Sequence, residues 1–249
     1  MNVLGGRRFQ PHLWPSLFSL VGIAVLIWLG TWQVQRLHWK EALIADLQAR
    51  TSEAPMALPK SIVDPVALEF RPVRLTGRFL HDKEMYLTGR TYKRTVGLHV
   101  ITPMALDDGR TVLVDRGWVP PQRKAPDTRA AGQVEGEITL VGPLRRGGWR
   151  GLDLFRPENQ PEDNLWVWLD LPAMAAHADL AGAVTEIYVA AGPADTPGGV
   201  PIGGQTPVTL RNDHLQYALT WYALAVALLV IYILHQSRPI EDRDADHRL

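Results

Sequence analysis

Apolar residues gather in two long runs, one near each end of the chain, and the residues between them largely alternate between apolar and polar. The run Leu13–Trp32 (LWPSLFSLVGIAVLIWLGTW) holds no charged residue, and neither does Tyr217–Leu234 (YALTWYALAVALLVIYIL). At about 1.5 Å per residue the second run makes about 27 Å of helix, close to the hydrocarbon thickness of a bilayer. Each run therefore predicts a transmembrane helix. Beyond the first, Trp32, Arg36, Leu43 and Leu47 keep helical spacing, and neither Gly nor Pro occurs from Thr31 to Arg50, so the helix is expected to continue past the membrane. Pro55, Pro59 and Pro65 then predict a linker.

The middle of the chain alternates like a β protein. Candidate strands are Val73–Phe79, Met85–Arg90, Leu98–Met104, Thr111–Val119, Glu137–Leu144, Leu165–Leu171 and Glu186–Ala190. Asp107-Asp108-Gly109 reads as a hairpin turn and His81-Asp82-Lys83 as a turn between two strands. A short amphipathic helix is predicted near Pro172–Leu180, with Pro in its first turn. The run GPADTPGGVPIGG, residues 192–204, reads as a mobile loop or tether.

The expected fold is a membrane protein with an N-terminal and a C-terminal transmembrane helix flanking a mainly antiparallel β domain, barrel or sandwich, with a small helix. Its divisions are a tail at 1–12, a first span at 13–34, a helical extension at 35–54, the β-rich domain at 55–210, a second span with its preceding motif at 211–235, and a tail at 236–249. Gly30-Thr31-Trp32-Gln33-Val34 is a poor cleavage site, so the first span reads as a retained anchor. Arg7 and Arg8 nearly balance Arg36 and Lys40, but Arg238, Arg243 and Arg248 outweigh Arg211. By the positive-inside rule both termini are expected in the cytoplasm and the domain outside it, in the periplasm if the membrane is a bacterial inner membrane.

Composition narrows the chemistry. The chain has no cysteine, which removes disulfides and thiolate reactions, and its five methionines are scattered, so neither copper nor zinc handling is expected. Twenty-six basic residues balance twenty-six acidic ones, which argues against a nucleic-acid partner. No G-x-S-x-G elbow, phosphate-binding glycine loop or H-E-x-x-H pair occurs, and no catalytic residue is assigned.

Two segments stand out. Asp115-Arg116-Gly117-Trp118-Val119-Pro120 ends a strand with a glycine that suggests a bulge or close backbone approach. It reads either as a core-filling corner or as a partner-binding corner centred on Arg116 and Trp118. His214 lies just before the second span, where an imidazole can ligate iron, donate to a partner, or anchor the helix. Of the eight histidines, His38 and His214 fall outside the same membrane face. His81, His99 and His177 lack metal-ligand spacing, His12 and His247 sit in the tails, and His235 closes the second span.

Four segments together resemble the Surfeit locus protein family, which assists assembly of cytochrome c oxidase. They are Leu29–Arg36 with Trp39-Lys40, Leu75–Phe79, Val114–Pro120 and Asn212–Tyr222, in the same order along nearly the whole chain. The resemblance implies a non-catalytic factor. In bacterial members the histidine matching His214 is associated with haem a, and the family is thought to place that haem into oxidase subunit I. Subunit I and haem a synthase are then the expected partners. Helical spacing puts His214, Tyr217, Ala218, Trp221, Tyr222 and Ala225 on one stripe, and Trp32, Arg36 and Trp39 on one face of the first helix. A haem-binding cleft would use His214 on the iron and Tyr217, Trp221, Trp32 and Trp39 as walls, with Arg36, Lys40 or Arg211 near the propionates. The apolar tail would lie along Leu224 and Leu228. A second reading is a scaffold that binds no haem and clamps an oxidase intermediate through its β domain.

Overall fold

The computed structural model describes residues 2–4, 7–206 and 211–239. Arg243, Arg248 and His247 lie outside the described residues. The chain divides into two compact units, Met1–Ala45 with Thr209–Leu249, and Asp46–Val208.

In the first unit, β1 (Asn2–Leu4) and β2 (Arg7–Phe9) precede α1 (Leu13–Thr51), and α4 (His214–His235) runs into β11 (Ser237–Pro239). The three strands form a small antiparallel sheet with β2 in the middle, where the sequence suggested only tails. Both helices are long and apolar enough to cross a membrane. Their first and last turns join where Gln236 Oε1 accepts from His12 N at 3.2 Å.

The second unit begins within α1 and contains β3 (Met56–Ala57), α2 (Pro65–Leu68), β4 (Pro72–Phe79), β5 (Met85–Tyr92), β6 (Thr95–Leu106), β7 (Thr111–Val119), β8 (Ile138–Arg145), β9 (Leu165–Trp166), α3 (Leu171–His177) and β10 (Ala183–Ala190). The proline linker is thus partly ordered into β3 and α2, whose first turn Asp64 caps through Val66 N and Ala67 N. Strand order is β3-β4-β8-β10-β7-β6-β5-β9, with β4 also paired to β6. That extra pairing closes β4, β8, β10, β7 and β6 into a five-stranded barrel, which resolves the choice between barrel and sandwich. Long β6 makes the closure possible, because Thr95–Ile101 pairs with β5 while Met104–Leu106 pairs with Phe79–Gly77 of β4. The seam needs Gly77: a Cβ there would lie 2.1 Å from Ala105 O. Most pairings are antiparallel, and β3–β4, β5–β9 and β7–β10 are parallel.

Side chains alternate about the barrel wall as the pleat requires. Val73, Leu75, Met104, Val112, Val114, Leu144, Ile187 and Val189 fill the inside. Leu113, Ile101, Met85 and Leu87 point the other way and pack with Trp166, Leu171 and Met174 beneath α3. All of β7 is consequently buried. The predicted strand Leu165–Leu171 stops at Trp166, because Asn159 Oδ1 takes the backbone donors of Val167 and Trp168 at 2.8 and 3.2 Å.

The glycine- and proline-rich run 192–204 is docked on the barrel and does not hang as a tether. Trp118 N donates to Ile202 O at 2.9 Å, Ile202 N to Trp118 O at 2.8 Å, and Gly204 N to Ala191 O at 2.8 Å. Glycines allow backbones to meet this closely, and Val200 adds apolar contact with the cluster of Tyr86, Leu98, Val100 and Val119. Gly117 is the tightest point, with φ +111° and a notional Cβ 1.9 Å from Ile202 O. Gly117→Ala is expected to destabilise the folded chain by about 3 kcal/mol, from left-handed strain plus displacement of this segment. Gly136→Ala, also at positive φ but with nothing within 4 Å, should cost about 1 kcal/mol. Denaturation of the detergent-solubilised full chain, followed by circular dichroism, checks the order of the two midpoints.

Candidate functional site

Within the first unit, α1 and α4 meet through small residues, as helices in an apolar solvent must when van der Waals contact and polar pairs hold them together. On α4, Ala218 and Ala225 are buried and His214, Trp221, Tyr222 and Leu228 are half-buried along the same stripe. On α1 the buried residue is Gly30. A Cβ at Gly30 would lie 2.6 Å from the Tyr222 ring, and one at Gly22 would lie 3.0 Å from Leu228. Thr31 Oγ1 and Tyr222 OH are 3.2 Å apart, and Ser16 Oγ and Tyr232 OH 2.7 Å apart.

This packing sets His214 opposite Gln33. His214 is the first residue of α4, and its Nδ1 lies 2.7 Å from Gln33 Oε1. With the Gln33 oxygen facing the ring, Nδ1 is the donor, and a neutral imidazole in that tautomer has its lone pair on Nε2. Among the described residues Nε2 has no hydrogen-bond partner. Such an imidazole can bind a metal through Nε2, because metal-bound histidines donate their other ring N–H to an acceptor of this kind. Close by, Asn212 Oδ1 is shielded from solvent with no partner among the described residues. Arg211 Nε pairs with Asp213 Oδ2 at 2.5 Å.

Of the residues singled out for this site, Trp221 shares the half-buried stripe with His214. Tyr217 does not, being 54% exposed. At 100° per residue it falls roughly 80° from the centre of the stripe, so the i+3 spacing from His214 put it on the flank. Trp32 and Trp39 are 41% and 58% exposed, with Arg36 exposed between them at 5.7 and 5.5 Å from the two ring centroids. These three lie roughly 60–120° around α1 from Gln33 and do not line a shared cleft with His214. Gln33, the partner of His214, lies three residues beyond Gly30 on the same helix face, and nothing in its spacing along the chain marks it as a partner.

In the second unit the Asp115–Pro120 corner is a β-bulge. The register with β6 passes from Ile101↔Asp115 to Val100↔Gly117, which leaves Arg116 as the extra residue and turns it inward. Arg116 and Trp118 are each 6% exposed, and neither presents its side chain on the surface. Trp118 Nε1 donates to Arg90 O at 3.3 Å, and its ring lies 5.4 Å from that of Tyr92. Arg116 lies over Phe79, 4.7 Å from its centroid, donates to Gly132 O, and pairs with Glu84 Oε1 at 3.1 Å. Arg129 holds the other oxygen of Glu84, Thr102 Oγ1 donates to Glu84 Oε1 at 3.3 Å, and His81 Nε2 donates to Val134 O at 2.9 Å. The centre of this cluster is thus Glu84, a carboxylate shared by two arginines. Burial pushes its carboxyl up, but the adjoining His81 ring, the hydrogen bonds from Arg129 and the charges of Arg129 and Arg116 bring it down to about 2. Burial also lowers the Arg116 guanidinium, with Glu84 opposing.

Two helices of membrane-spanning length joined through a five-stranded barrel, with a histidine set at the mouth of the helix pair, define the class of protein. The chain belongs to the SURF1 family, whose profile matches residues 20–226. It is 41% identical over 228 residues to a SURF1-like protein of Monosiga brevicollis, covering 87% of this chain and 85% of that one. It is 45% identical over 225 residues to Surfeit locus protein 1 of Mus musculus, covering 84% of this chain and 72% of the relative. The corresponding human protein is 45% identical over 215 residues, covering 80% and 70%.

The Glu84 cluster carries a pH signature. Because its folded value lies below the ordinary 4.5, the unfolded chain binds the proton first as pH falls. The stabilisation is therefore complete above pH 4.5 and is lost as pH falls towards 2, to the extent of about 3 kcal/mol. Glu84→Gln leaves two buried guanidiniums without their counter-charge and should cost about 3–5 kcal/mol at neutral pH. It should also flatten the stability profile between pH 5 and 3. Unfolding midpoints of both proteins across that range check the assignment, and parallel profiles would place the acid-sensitive carboxylate elsewhere.

Proposed function

We propose that this protein is a non-catalytic assembly factor for cytochrome c oxidase that binds haem a through His214 and assists its insertion into subunit I. Haem a is cargo in this reading, received in a membrane that also holds haem a synthase and released to the oxidase. The proposed setting is a cell membrane, a bacterial inner membrane if the source is bacterial, with both termini cytoplasmic and the barrel on the opposite, periplasmic side. One observation carries the reading: His214 sits at the end of an apolar helix with Nδ1 bonded to Gln33 and Nε2 left as a lone-pair donor. Membership of the SURF1 family supports it.

The parts divide by chemistry. When bound, the haem supplies an iron that takes a nitrogen ligand and an apolar ring that needs an anhydrous surface. His214 Nε2 is the iron ligand, Trp221 offers an aromatic wall on the same stripe, and Tyr217 flanks it. Arg36, between Trp32 and Trp39, lies off the Gln33 face of α1 and is left as an exposed cation at the membrane boundary, outside the His214 contact. The scaffold reading, in which the barrel holds an oxidase intermediate without haem, draws on Leu152, Leu154 and Phe155, which are 72%, 86% and 70% exposed on one loop.

The two readings part on a spectrum. Co-expressed with the enzymes that make haem a and purified in detergent, the wild-type chain is expected to carry a Soret band, and His214→Ala to lose at least tenfold in bound haem. A colourless wild type, or an alanine variant with unchanged band and stoichiometry, overturns haem carriage. Retained oxidase assembly with a colourless chain would then favour the scaffold.

A further inference from the structure

We infer that Gln33 is a positioning residue for the His214 ligand: its amide oxygen selects Nε2 as the iron-binding atom and, being uncharged, keeps the imidazole a releasable ligand. The inference rests on the proposal that His214 binds iron.

The two tautomers of a neutral histidine interconvert until a partner fixes the proton. Here Gln33 Oε1 fixes it on Nδ1 at 2.7 Å, across from one helix to the other. The acceptor is itself held in place. Gln33 lies one turn beyond Gly30, where the Tyr222 ring occupies the space that any Cβ would take, and Thr31 Oγ1 meets Tyr222 OH at 3.2 Å. On the other helix of the contact, His214 is followed at helical spacing by buried Ala218. Rotation of either helix by one residue would carry the imidazole away from the amide, so the packing and the hydrogen bond specify each other.

The chemical nature of the acceptor matters as much as its position. A carboxylate at this place would pull the Nδ1 proton and make the imidazole more basic, which binds ferric iron more tightly and lowers its reduction potential. An amide oxygen orients the ring without that transfer. A protein that must hold iron and then surrender it is served by the weaker acceptor. The second unit shows that this chain does place carboxylates beside histidines elsewhere, with His99 Nδ1 2.8 Å from Asp115 Oδ2.

Three chains test the inference: wild type, Gln33→Leu and Gln33→Glu, each loaded with haem and purified in detergent. Measured on each are haem stoichiometry, reduction potential, Soret position and the rate of haem transfer to excess apomyoglobin. Gln33→Leu should lose haem about 10–100-fold faster than wild type, since the groups that accept a hydrogen bond from metal-bound histidines are worth that much in affinity. Gln33→Glu should lose haem more slowly than wild type, with a lower potential. Equal transfer rates and potentials in all three, with stoichiometric haem, would falsify the positioning role. So would a Gln33→Glu variant that behaves like Gln33→Leu, because a mere packing role makes both substitutions alike. If Gln33→Leu misfolds, the direction of change in Gln33→Glu still decides. Failure of the haem reading itself looks different: wild type and His214→Ala then carry the same haem, or none.

Discussion

Close contact between the Tyr222 ring and Gly30 is the constraint from which the helix pair follows. In a hydrocarbon solvent no hydrophobic force drives two apolar helices together, so association depends on how near the backbones can come and on the few polar pairs they share. A glycine at residue 30 lets an aromatic ring lie against the α1 backbone, and Gly22 repeats the arrangement two turns earlier against Leu228. Together with the hydroxyl pairs of Thr31 with Tyr222 and Ser16 with Tyr232, these contacts set one rotation and one depth for α4 against α1. His214 meets Gln33 only in that arrangement.

The barrel solves a different problem by a related device. Five strands make a small barrel, and closing it requires backbones to approach at the seam, where Gly77 faces Ala105 O. The bulge at Arg116 then turns a guanidinium inward, which would be intolerable without compensation. Glu84, Phe79, Gly132 O and, through Glu84, Arg129 supply it. The motif that stands out in the sequence as Asp-Arg-Gly-Trp is therefore a piece of internal architecture: Asp115 bonds His99 and the amide of Gly117, Arg116 joins the ion cluster, Gly117 admits Ile202, and Trp118 covers the end of the β sheet. A conspicuous exposed-looking arginine in a strand can be conspicuous because it is buried.

Periodicity was enough to find the two apolar helices, the barrel strands and α3, because each element is governed by its own side-chain spacing. β7 and Thr111–Val119 coincide, and β4 begins one residue before the expected Val73. What spacing could not reach were effects of residues distant in sequence. Closure of the barrel depends on β4 meeting β6, and the glycine-rich run has the local composition of a tether while its partner, Trp118, lies some eighty residues away. The site divides the same way. The place of His214 at the start of the apolar helix and of Trp221 on its half-buried stripe could be read from spacing. Gln33 could not, since a single hydrogen bond across two helices leaves no periodic trace, and Tyr217 was misplaced by a stripe taken from one residue and not from the centre of the contact.

The separation of charge in this chain ties the two units to one physical logic. Where the barrel excludes water, the chain pairs full charges, with Glu84 held between two arginines. At the helix pair it uses uncharged groups: two hydroxyl pairs and one amide against one imidazole. Full charges in the low-dielectric interior bind strongly and are costly to separate, so they suit a scaffold that never opens. Neutral polar pairs orient a side chain at little cost and can be exchanged for another partner. A histidine held by an amide is therefore placed without being locked.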